Sequence, residues 1–348
     1  AAVDIVSKDF QEKGLFQLSV GTSINTNAIG EDNFALQNGP SKTGFSKINI
    51  PNNPLNSFQY KTKLNPKSSS TIAPNFGLKA GKTFKVGNEG KLGLFATASF
   101  NSNYDYREGV NQTVNALGGL GGRLRSFSPH QKYSYETNST GMFNANYKIN
   151  NRHSIKYNFL FVNSSEQSRE LYSGFIRDIA EDDNGLILRN TYIQNQLMVN
   201  QLLGDHKLTD KIDLDWGVAF NKIESDIPDR TQNTLRLNKT TNEYQLAQNS
   251  TTDNHRYFHN LVEKSYAANL GLSYRLNEST DGLARGFVRL GYNGRFVNRD
   301  FEARQFNLRL NNSQVVDPNN LDAYFNETNY NNGYFSIITY SGTLAPQI

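Results

Sequence analysis

The sequence predicts an all-β fold, an antiparallel transmembrane β-barrel in which apolar and polar residues alternate along long strands. Nine successive segments show this alternation, which places side chains on two different faces of a strand. The segments run for about ten to fifteen residues, long enough to cross a bilayer at a tilt. Aromatic residues, 12% of the chain, cluster near their ends.

The first strand is predicted from Phe16 to Asn25, where the alternation is unbroken. Its apolar face has every second residue, namely Phe16, Leu18, Val20, Thr22 and Ile24. The residues between them are small or polar, namely Gln17, Ser19, Gly21, Ser23 and Asn25. The segment therefore predicts a strand with one face toward an apolar environment and one toward water.

Eight further strands are predicted from the same pattern. They occupy residues 72–86, 92–106, 133–149, 155–164, 193–203, 212–221, 265–276 and 288–299. The segment 193–203 is the weakest, and its apolar face is assigned to Ile193, Leu197, Val199 and Leu203. Residues 334–343 alternate poorly and form a weak tenth candidate.

The connections between these segments are predicted to alternate between short and long. Short turns are expected at 87–90, 150–152, 205–211 and 277–285. Long polar loops are expected at 28–70, 107–131, 165–186, 227–261 and beyond about 303. Short turns on the periplasmic side and long loops outside are typical of outer-membrane barrels.

The apolar face is predicted to contact lipid. A soluble β-sandwich also alternates, but its strands usually run for ~5–6 residues. Tyr and Trp near strand ends are typical of the aromatic girdles of membrane barrels. They are Tyr104, Tyr106, Tyr133, Tyr135, Tyr147, Trp216, Tyr266 and Tyr274. Because each unpaired backbone group in hydrocarbon costs several kcal/mol, the sheet is expected to close. Nine strands are an odd number, so the chain is expected to be part of a larger barrel.

The composition argues against nucleic-acid binding, cysteine-based sites and membrane-spanning helices. The net charge of +4 comes from interspersed acids and bases, which gives no case for binding nucleic acid. The absence of cysteine excludes disulfides and thiolate metal sites. No stretch reaches the ~20 apolar residues of a membrane helix.

The start of the chain resembles the junction between plug and barrel in TonB-dependent outer-membrane receptors. Residues 3–10, VDIVSKDF, precede GLFQLSVGTSINT, and a plug strand of the form (V/I)-x-I-V-(S/T)-K leads into the barrel in that family. The residues that fit the pattern are Val3, Ile5, Val6, Ser7 and Lys8. The strand rhythm and loop style are similar to those of the SusC-like nutrient importers.

The resemblance implies that residues 1–10 end a plug domain or linker and that residues 11–348 form the N-terminal portion of the barrel. The family barrel has about 22 strands, of which about nine or ten would be present. The implied partners are outer-membrane lipid, the remainder of the chain's own barrel and plug, a TonB-type energy-coupling complex and a surface lipoprotein. The implied location is the outer membrane of a Gram-negative cell envelope.

Two groups of residues are candidates for contact with a solute. Charged residues on the polar face of the predicted strands would line the lumen, namely Asp213, Asp215, Arg275, Arg289, Arg295 and Arg299. Tyrosines in the last predicted loop, with neighbouring asparagines, suit carbohydrate stacking, namely Tyr324, Tyr330 and Tyr334. Ordinary solvated charge is the simpler interpretation of the first group.

Other motifs carry little weight. The glycine-rich residues 115–125 have no strand-to-helix setting, so we interpret them as a loop. Asp253, His255 and His259 lie close together, but no helix is predicted there to bring them onto one metal. We expect no enzyme activity, no cofactor and no metal site.

Three functions remain open. The first is a barrel segment of a receptor for energised uptake of a nutrient such as a glycan, a peptide or a metal chelate. The second is a passive porin or structural outer-membrane barrel. The third is a secreted β-rich adhesin or binding module, which would be soluble without detergent.

Overall fold

The computed structural model describes residues 14–37, 41–46, 55–60, 62–115, 122–278, 284–312 and 314–339. Within these ranges the chain is all-β, and one antiparallel sheet carries the fold. The fold class is confirmed in this respect. The residues that resemble a plug junction, Val3 to Lys8, lie outside the described ranges.

Fourteen strands are present in the described residues. They are β1 Leu15–Ser23, β2 Ala35–Gln37, β3 Pro66–Ser68, β4 Ala73–Val86, β5 Gly90–Asn115, β6 Gly122–Lys148, β7 His153–Ile176, β8 Ala180–Lys207, β9 Ile212–Asn238, β10 Glu243–Leu246, β11 His255–Glu278, β12 Ala284–Leu310, β13 Val315–Val316 and β14 Phe335–Ile338. The short helices are α1 Thr26–Ile29, a 3-10 turn Leu321–Ala323 and α2 Glu327–Asn331. None of these helices is long and apolar enough to cross a bilayer.

The main sheet has the strand order β1-β4-β5-β6-β7-β8-β9-β11-β12-β14. The nine predicted segments therefore form nine neighbouring antiparallel strands in chain order, as the alternation indicated. The weak tenth candidate corresponds to the four-residue strand β14, which pairs with the end of β12. Across the described residues the sheet is open, with β1 at one edge and β12 and β14 at the other.

The strands are much longer than predicted, and three predicted loops are wrong. β5 to β9 have 24 to 28 residues each and continue through most of 107–131, 165–186 and 227–238. β7 and β8 are joined by a turn of only three residues, 177–179. Here polar residues face polar partners on adjacent strands, as in the pair Arg169 and Asn190. Backbone pairing persists although the apolar alternation that marks a strand in sequence has ended.

The apolar face of β8 was also assigned wrongly. The register pairs Tyr157 with Leu202 and Phe161 with Met198, so the even positions of β8 share the apolar face. The predicted set lies on the other face, namely Ile193, Leu197, Val199 and Leu203. Apolar residues occupy both faces of this strand, so a period of two could not decide between them.

We call the end of the sheet with the turns 87–89, 149–152 and 208–211 the near end, and the opposite end the far end. Toward the far end, the connection between β1 and β4 crosses the apolar face of the sheet. We call its described residues 28–37, 41–46, 55–60 and 62–65 the crossing segment. Phe34 packs edge-on against Tyr104 at 5.7 Å and Tyr133 at 5.4 Å.

This packing corrects part of the predicted aromatic girdle. Tyr104, Tyr133 and Tyr135 are buried together with Ala28, Phe34 and Leu36. They pack against protein because the crossing segment covers the sheet at their level. Tyr135 in addition donates its hydroxyl hydrogen to the Lys42 carbonyl oxygen at 2.8 Å.

The middle of the crossing segment is held by polar contacts. Asn163 Nδ2 donates to the Gly44 carbonyl oxygen at 2.8 Å, and the Ser46 backbone N–H donates to Gln194 Oε1 at 2.8 Å. Gly44 has a φ of +78°, and a Cβ there would lie 1.9 Å from Thr137 Oγ1. Glycine is therefore required for the close approach of the segment to the sheet.

The largest apolar core lies further along the same face, at the far end of β8, β9, β11 and β12. It joins strand residues to the crossing segment and to residues from 321 onward, namely Leu64, Leu186, Leu188, Leu235, Leu246, Phe258, Phe306, Leu308, Leu310, Leu321, Tyr324, Phe325, Phe335 and Ile337. Phe58 and Tyr60 of the crossing segment pack against it. The far half of the apolar face is thus covered by the chain itself.

No described residue covers the near half of the same face. Phe16 is 74% exposed at one edge and Leu290 is 76% exposed at the other. Exposed large apolar side chains lie between them on the shared face, namely Leu18, Val20, Phe76, Leu78, Phe84, Phe143, Leu202, Val218, Tyr266, Leu270, Leu272, Tyr274, Val288, Tyr292 and Phe296. We call this set, with Phe16 and Leu290, the apolar band.

Candidate functional site: the polar face of the sheet

The polar face is concave at the near end. A cavity of about 650 Å³ lies against it, and its lining extends from Thr83 on β4 to Arg275 on β11. These strands are six positions apart in the sheet order, which would be roughly 29 Å across a flat sheet. Because residues from both strands line one cavity, the sheet curls toward its polar face.

The two predicted lumen aspartates pair with arginines of neighbouring strands. Asp213 Oδ2 accepts from Arg275 Nη2 at 2.6 Å, and Asp215 Oδ2 accepts from Arg289 Nη2 at 2.6 Å. The second pair spans β11, where Gly271 leaves room, since a Cβ there would lie 2.6 Å from Arg289 Nη2. These pairs are partly exposed, so each is expected to contribute at most about 1 kcal/mol.

The other two predicted arginines share one carboxylate. Glu263, which is buried, accepts from Arg299 Nε at 2.8 Å, and Arg295 Nη2 lies 3.5 Å from its other oxygen. Arg275, Arg289, Arg295 and Arg299 therefore all lie on the polar face, and each contacts a carboxylate. Four arginines share three carboxylates, so this part of the polar face keeps one net positive charge.

The three predicted loop tyrosines differ in accessibility. Tyr324 is only 6% exposed and belongs to the far-end core, and burial raises the pKa of its phenol to about 12. Tyr330 packs against Phe335 and donates its hydroxyl hydrogen to the Leu55 carbonyl oxygen at 3.0 Å. Tyr334 is 45% exposed. Of the three rings, Tyr334 is the one open to a solute, because the others pack in the core.

Replacing Tyr324 by phenylalanine is expected to lower the free energy of unfolding by about 1 kcal/mol. The Tyr324 hydroxyl donates to the Tyr334 carbonyl oxygen at 3.0 Å, and the variant removes this hydrogen bond and leaves the Asn311 N–H, at 3.1 Å, as the other donor to that oxygen. Urea unfolding in detergent micelles measures the change. Tyr334→Phe is the matched control and should leave the urea midpoint unchanged. Equal destabilisation by both variants would contradict the assigned role of the Tyr324 hydroxyl.

The histidine-containing segment 253–259 and the glycine-rich residues 115–125 form no recognisable site among the described residues. His255 and His259 lie on one face of β11, and His255 Nδ1 contacts the Thr252 carbonyl oxygen at 2.8 Å. Among the described residues, no group of three or more acidic and histidine side chains is arranged to hold a metal ion. Residues 116–121 of the glycine-rich motif lie outside the described ranges.

A second group on the polar face, toward the far end, was missed from sequence. Glu170, Arg189, Gln232 and His255 are direct cross-strand partners on β7, β8, β9 and β11. Arg230 lies beside this row and pairs with Tyr257. Arg230 and His255 lay in predicted loop 227–261, and Glu170 lay in 165–186. The sequence feature that could have indicated this group is the density of charged and aromatic residues in 165–186 and 227–261, segments that form paired strands in the structure.

The geometry gives an antiparallel sheet with a concave polar face and an apolar band on the other side. Comparison of the chain with protein-family models, with curated protein sequences and with solved structures gave no match. A function is therefore inferred from the residues of this chain alone.

Proposed function

We propose that this chain forms part of the wall of an outer-membrane β-barrel that takes up a nutrient such as a glycan, a peptide or a metal chelate. One observation carries the proposal. A single row of cross-strand partners runs along the apolar face through nine strands, namely Phe16, Ala80, Ala96, Phe143, Phe159, Asn200, Phe220, Tyr266 and Phe296. Apart from Asn200, which accepts from Tyr157 at 2.8 Å, its side chains are apolar.

The energetics favour lipid over water as the neighbour of the apolar band. Covering one large apolar side chain is worth roughly 1.5–3 kcal/mol, and the band has many. Soluble monomers rarely expose a contiguous apolar patch larger than a few hundred Å². A secreted adhesin with this sheet would leave the whole band in water. A bilayer covers all of it at once.

The dimensions of the band support the same proposal. On β12 it runs from Val288 to Phe296, which is roughly 27 Å along a strand and about 20 Å across a bilayer at a tilt near 40°. Apolar belts of membrane barrels are ~25 Å tall. One step toward the far end, the partners Lys222 and Lys264 occupy the same face. These lysines suit the charged head-group level where the belt should end.

The concave polar face suits the lumen of the same barrel. Unpaired strand edges in hydrocarbon cost several kcal/mol for each backbone group, so the open edges at β1 and β12 would be paired by further strands. The near-end turns would lie in the periplasm. The resemblance at Val3 to Lys8 favours an energised receptor over a passive porin. A plug, a TonB-type energy-coupling complex and a surface lipoprotein are then the proposed partners.

Fluorescence of Trp216, the one tryptophan in the chain, tests the proposal. Its ring lies flat over Gly204, where a Cβ would come within 2.3 Å, and Nε1 donates to His206 Nε2 at 3.0 Å. Trp216 lies on the apolar face and is the direct partner of Leu270, in the middle row of the apolar band. We expect lipids brominated on the acyl chain to quench its fluorescence more strongly than lipids brominated at the head group.

The control is the same measurement in vesicles of unbrominated lipid, where the signal should persist. Emission that is insensitive to bromine at every depth would show that Trp216 does not contact acyl chains. The barrel proposal would then fail.

A further inference from the structure

Two arginines on the far half of the polar face are close neighbours. Arg189 on β8 is the direct partner of Gln232 on β9, and Arg230 lies two residues before Gln232 on the same face. Arg189 and Arg230 are thus diagonal neighbours across two strands, a relation that places backbones about 7–8 Å apart. Long side chains from such positions reach the same ligand.

Neither arginine has a carboxylate partner in the described part of the chain. Arg189 Nη2 and Nε both donate to the neutral oxygen Gln232 Oε1, at 2.7 and 3.1 Å. The Arg230 side chain makes no hydrogen bond to any described residue, and its buried Nε has no partner among them. The four lumen arginines nearer the other end each contact an acid. Arg189 and Arg230 differ from those four because their side chains contact a neutral amide oxygen and aromatic rings.

The closest acid in register is occupied elsewhere. Glu170 lies directly opposite Arg189 across β7 and β8. Its Oε2 accepts the Tyr172 hydroxyl hydrogen at 2.6 Å and lies 3.0 Å from His130 Nε2. Glu170 is therefore engaged with β6 and β7, and the guanidinium groups keep unused donors.

Aromatic rings hold both guanidinium groups in place. Arg189 lies over Tyr172 at 5.4 Å from the ring centre, and Arg230 lies over Tyr257 at 4.5 Å. His130 stacks on Tyr172 at 4.1 Å. Stacked guanidinium groups present their donors edge-on in a fixed orientation, so little side-chain entropy is lost when a ligand binds.

We propose that Arg189 and Arg230 form a binding site for one oxyanion group, a carboxylate, phosphate or sulfate, carried by a solute on the polar face. The guanidinium groups supply only donors, in the fork geometry that fits two oxygens of such a group. Tyr172 is only 9% exposed and packs against His130, Phe127 and Arg189, so little of its ring is open to stacking by an uncharged sugar. Solute recognition by this site rests on the proposed function, whereas anion binding does not.

Titration calorimetry on the chain in detergent micelles tests the site. The probes are glucuronate, inorganic phosphate and sulfate, with glucose as the uncharged match of glucuronate. We expect at least one anion to bind and glucose not to bind, and the tightest anion identifies the group. Arg230→Gln should weaken that binding by about tenfold or more, because a charge-assisted bidentate contact is lost.

Arg123→Gln is the matched control, since Arg123 is exposed at the far end and pairs with Asp183 at 3.3 Å. It should leave the affinity unchanged. Arg230→Lys, which keeps the charge without the fork, should bind more weakly than the unmodified chain. Circular dichroism shows whether each variant keeps its sheet. The proposal is overturned if no anion binds, if glucose binds as well as glucuronate, or if Arg123→Gln weakens binding equally.

Chemical modification locates the anion independently of any variant. Phenylglyoxal reacts with accessible guanidinium groups, and peptide mass spectrometry reports the rate at each arginine. The bound anion should slow modification at Arg189 and Arg230 by several-fold and leave Arg123 unchanged. Uniform rates with and without the anion would refute the site. Trp216 quenching is measured without anion, so failure of the membrane proposal and failure of the site are distinguishable.

Discussion

Replacing Asp229 by alanine is expected to lower the free energy of unfolding by about 3–5 kcal/mol, because it leaves a buried guanidinium without its counter-charge. Asp229 is 8% exposed and Arg256 is 1% exposed, and Arg256 Nη1 donates to Asp229 Oδ2 at 2.7 Å. Arg256 also donates to the Thr62 carbonyl oxygen at 3.1 Å and lies over the Tyr60 ring at 4.5 Å. The pair therefore ties the crossing segment to β9 and β11.

Two measurements follow this change. Urea unfolding in micelles gives the loss of stability, and limited trypsin digestion should show faster cleavage after Lys63 because the crossing segment is released. Asp210→Ala removes an exposed partner of Arg152, 3.1 Å away, and should change stability by no more than about 1 kcal/mol. Similar losses for the two variants would contradict the assigned role of burial.

A double variant separates the ion pair from the packing around it. Asp229 Oδ1, Arg256 Nε and the Tyr60 hydroxyl are buried and have no hydrogen-bond partner in the part of the chain that the structure describes. Such an incompletely satisfied pair is often replaceable by apolar residues of similar volume. Asp229→Leu combined with Arg256→Met should therefore recover most of the stability lost in Asp229→Ala. A double variant as unstable as the single variant would show that the charges themselves are required.

If the apolar band faces lipid as proposed, replacing Leu270 by arginine is expected to impair insertion, with a penalty of about 2–4 kcal/mol for a cation near the bilayer midplane. Leu270 lies in the middle of the apolar band on β11, between Trp216 on β9 and Tyr292 on β12. The measurement is the fraction that floats with phosphatidylcholine vesicles in a density gradient. The same chain in micelles shows whether the sheet still forms.

Asn269→Arg is the matched control, since it adds the same side chain one residue earlier. Asn269 is exposed and lies on the polar face opposite Asn293. If lipid covers one face and water the other, Asn269→Arg should insert like the unmodified chain. Equal insertion of both variants would mean that the apolar band does not face hydrocarbon.

The alternation predicted the strands well where one face is apolar and the other polar. The segment from Ile212 to Phe220 is an example, and its apolar residues share one face in β9 with those of β11. In such a strand, whether a side chain is apolar or polar shows directly which face it lies on. The predicted apolar face was wrong in β8, because this strand has apolar residues on both faces, such as Ile193 on one and Met198 on the other.

The candidate sites show the same division. The sequence placed Asp213, Asp215 and the four arginines on the polar face, but not the carboxylate that each arginine contacts. Asp229 and Arg256 meet because β9 has an extra residue between its pairings with Tyr257 and His259. This bulge turns the residues beyond it to the opposite face. A bulge leaves no periodic signal, so the pair could not be predicted.

The sequence by itself determined an antiparallel sheet of nine long strands and the division of its near half into an apolar and a polar face. Local alternation is sufficient for this, because each side chain's face depends only on its position along its own strand. Only the tertiary structure decided how far the strands continue, which half of the apolar face the chain covers, and which charges meet. Those features depend on register and on contacts between distant segments, such as Gly44 with Asn163, which no local pattern encodes.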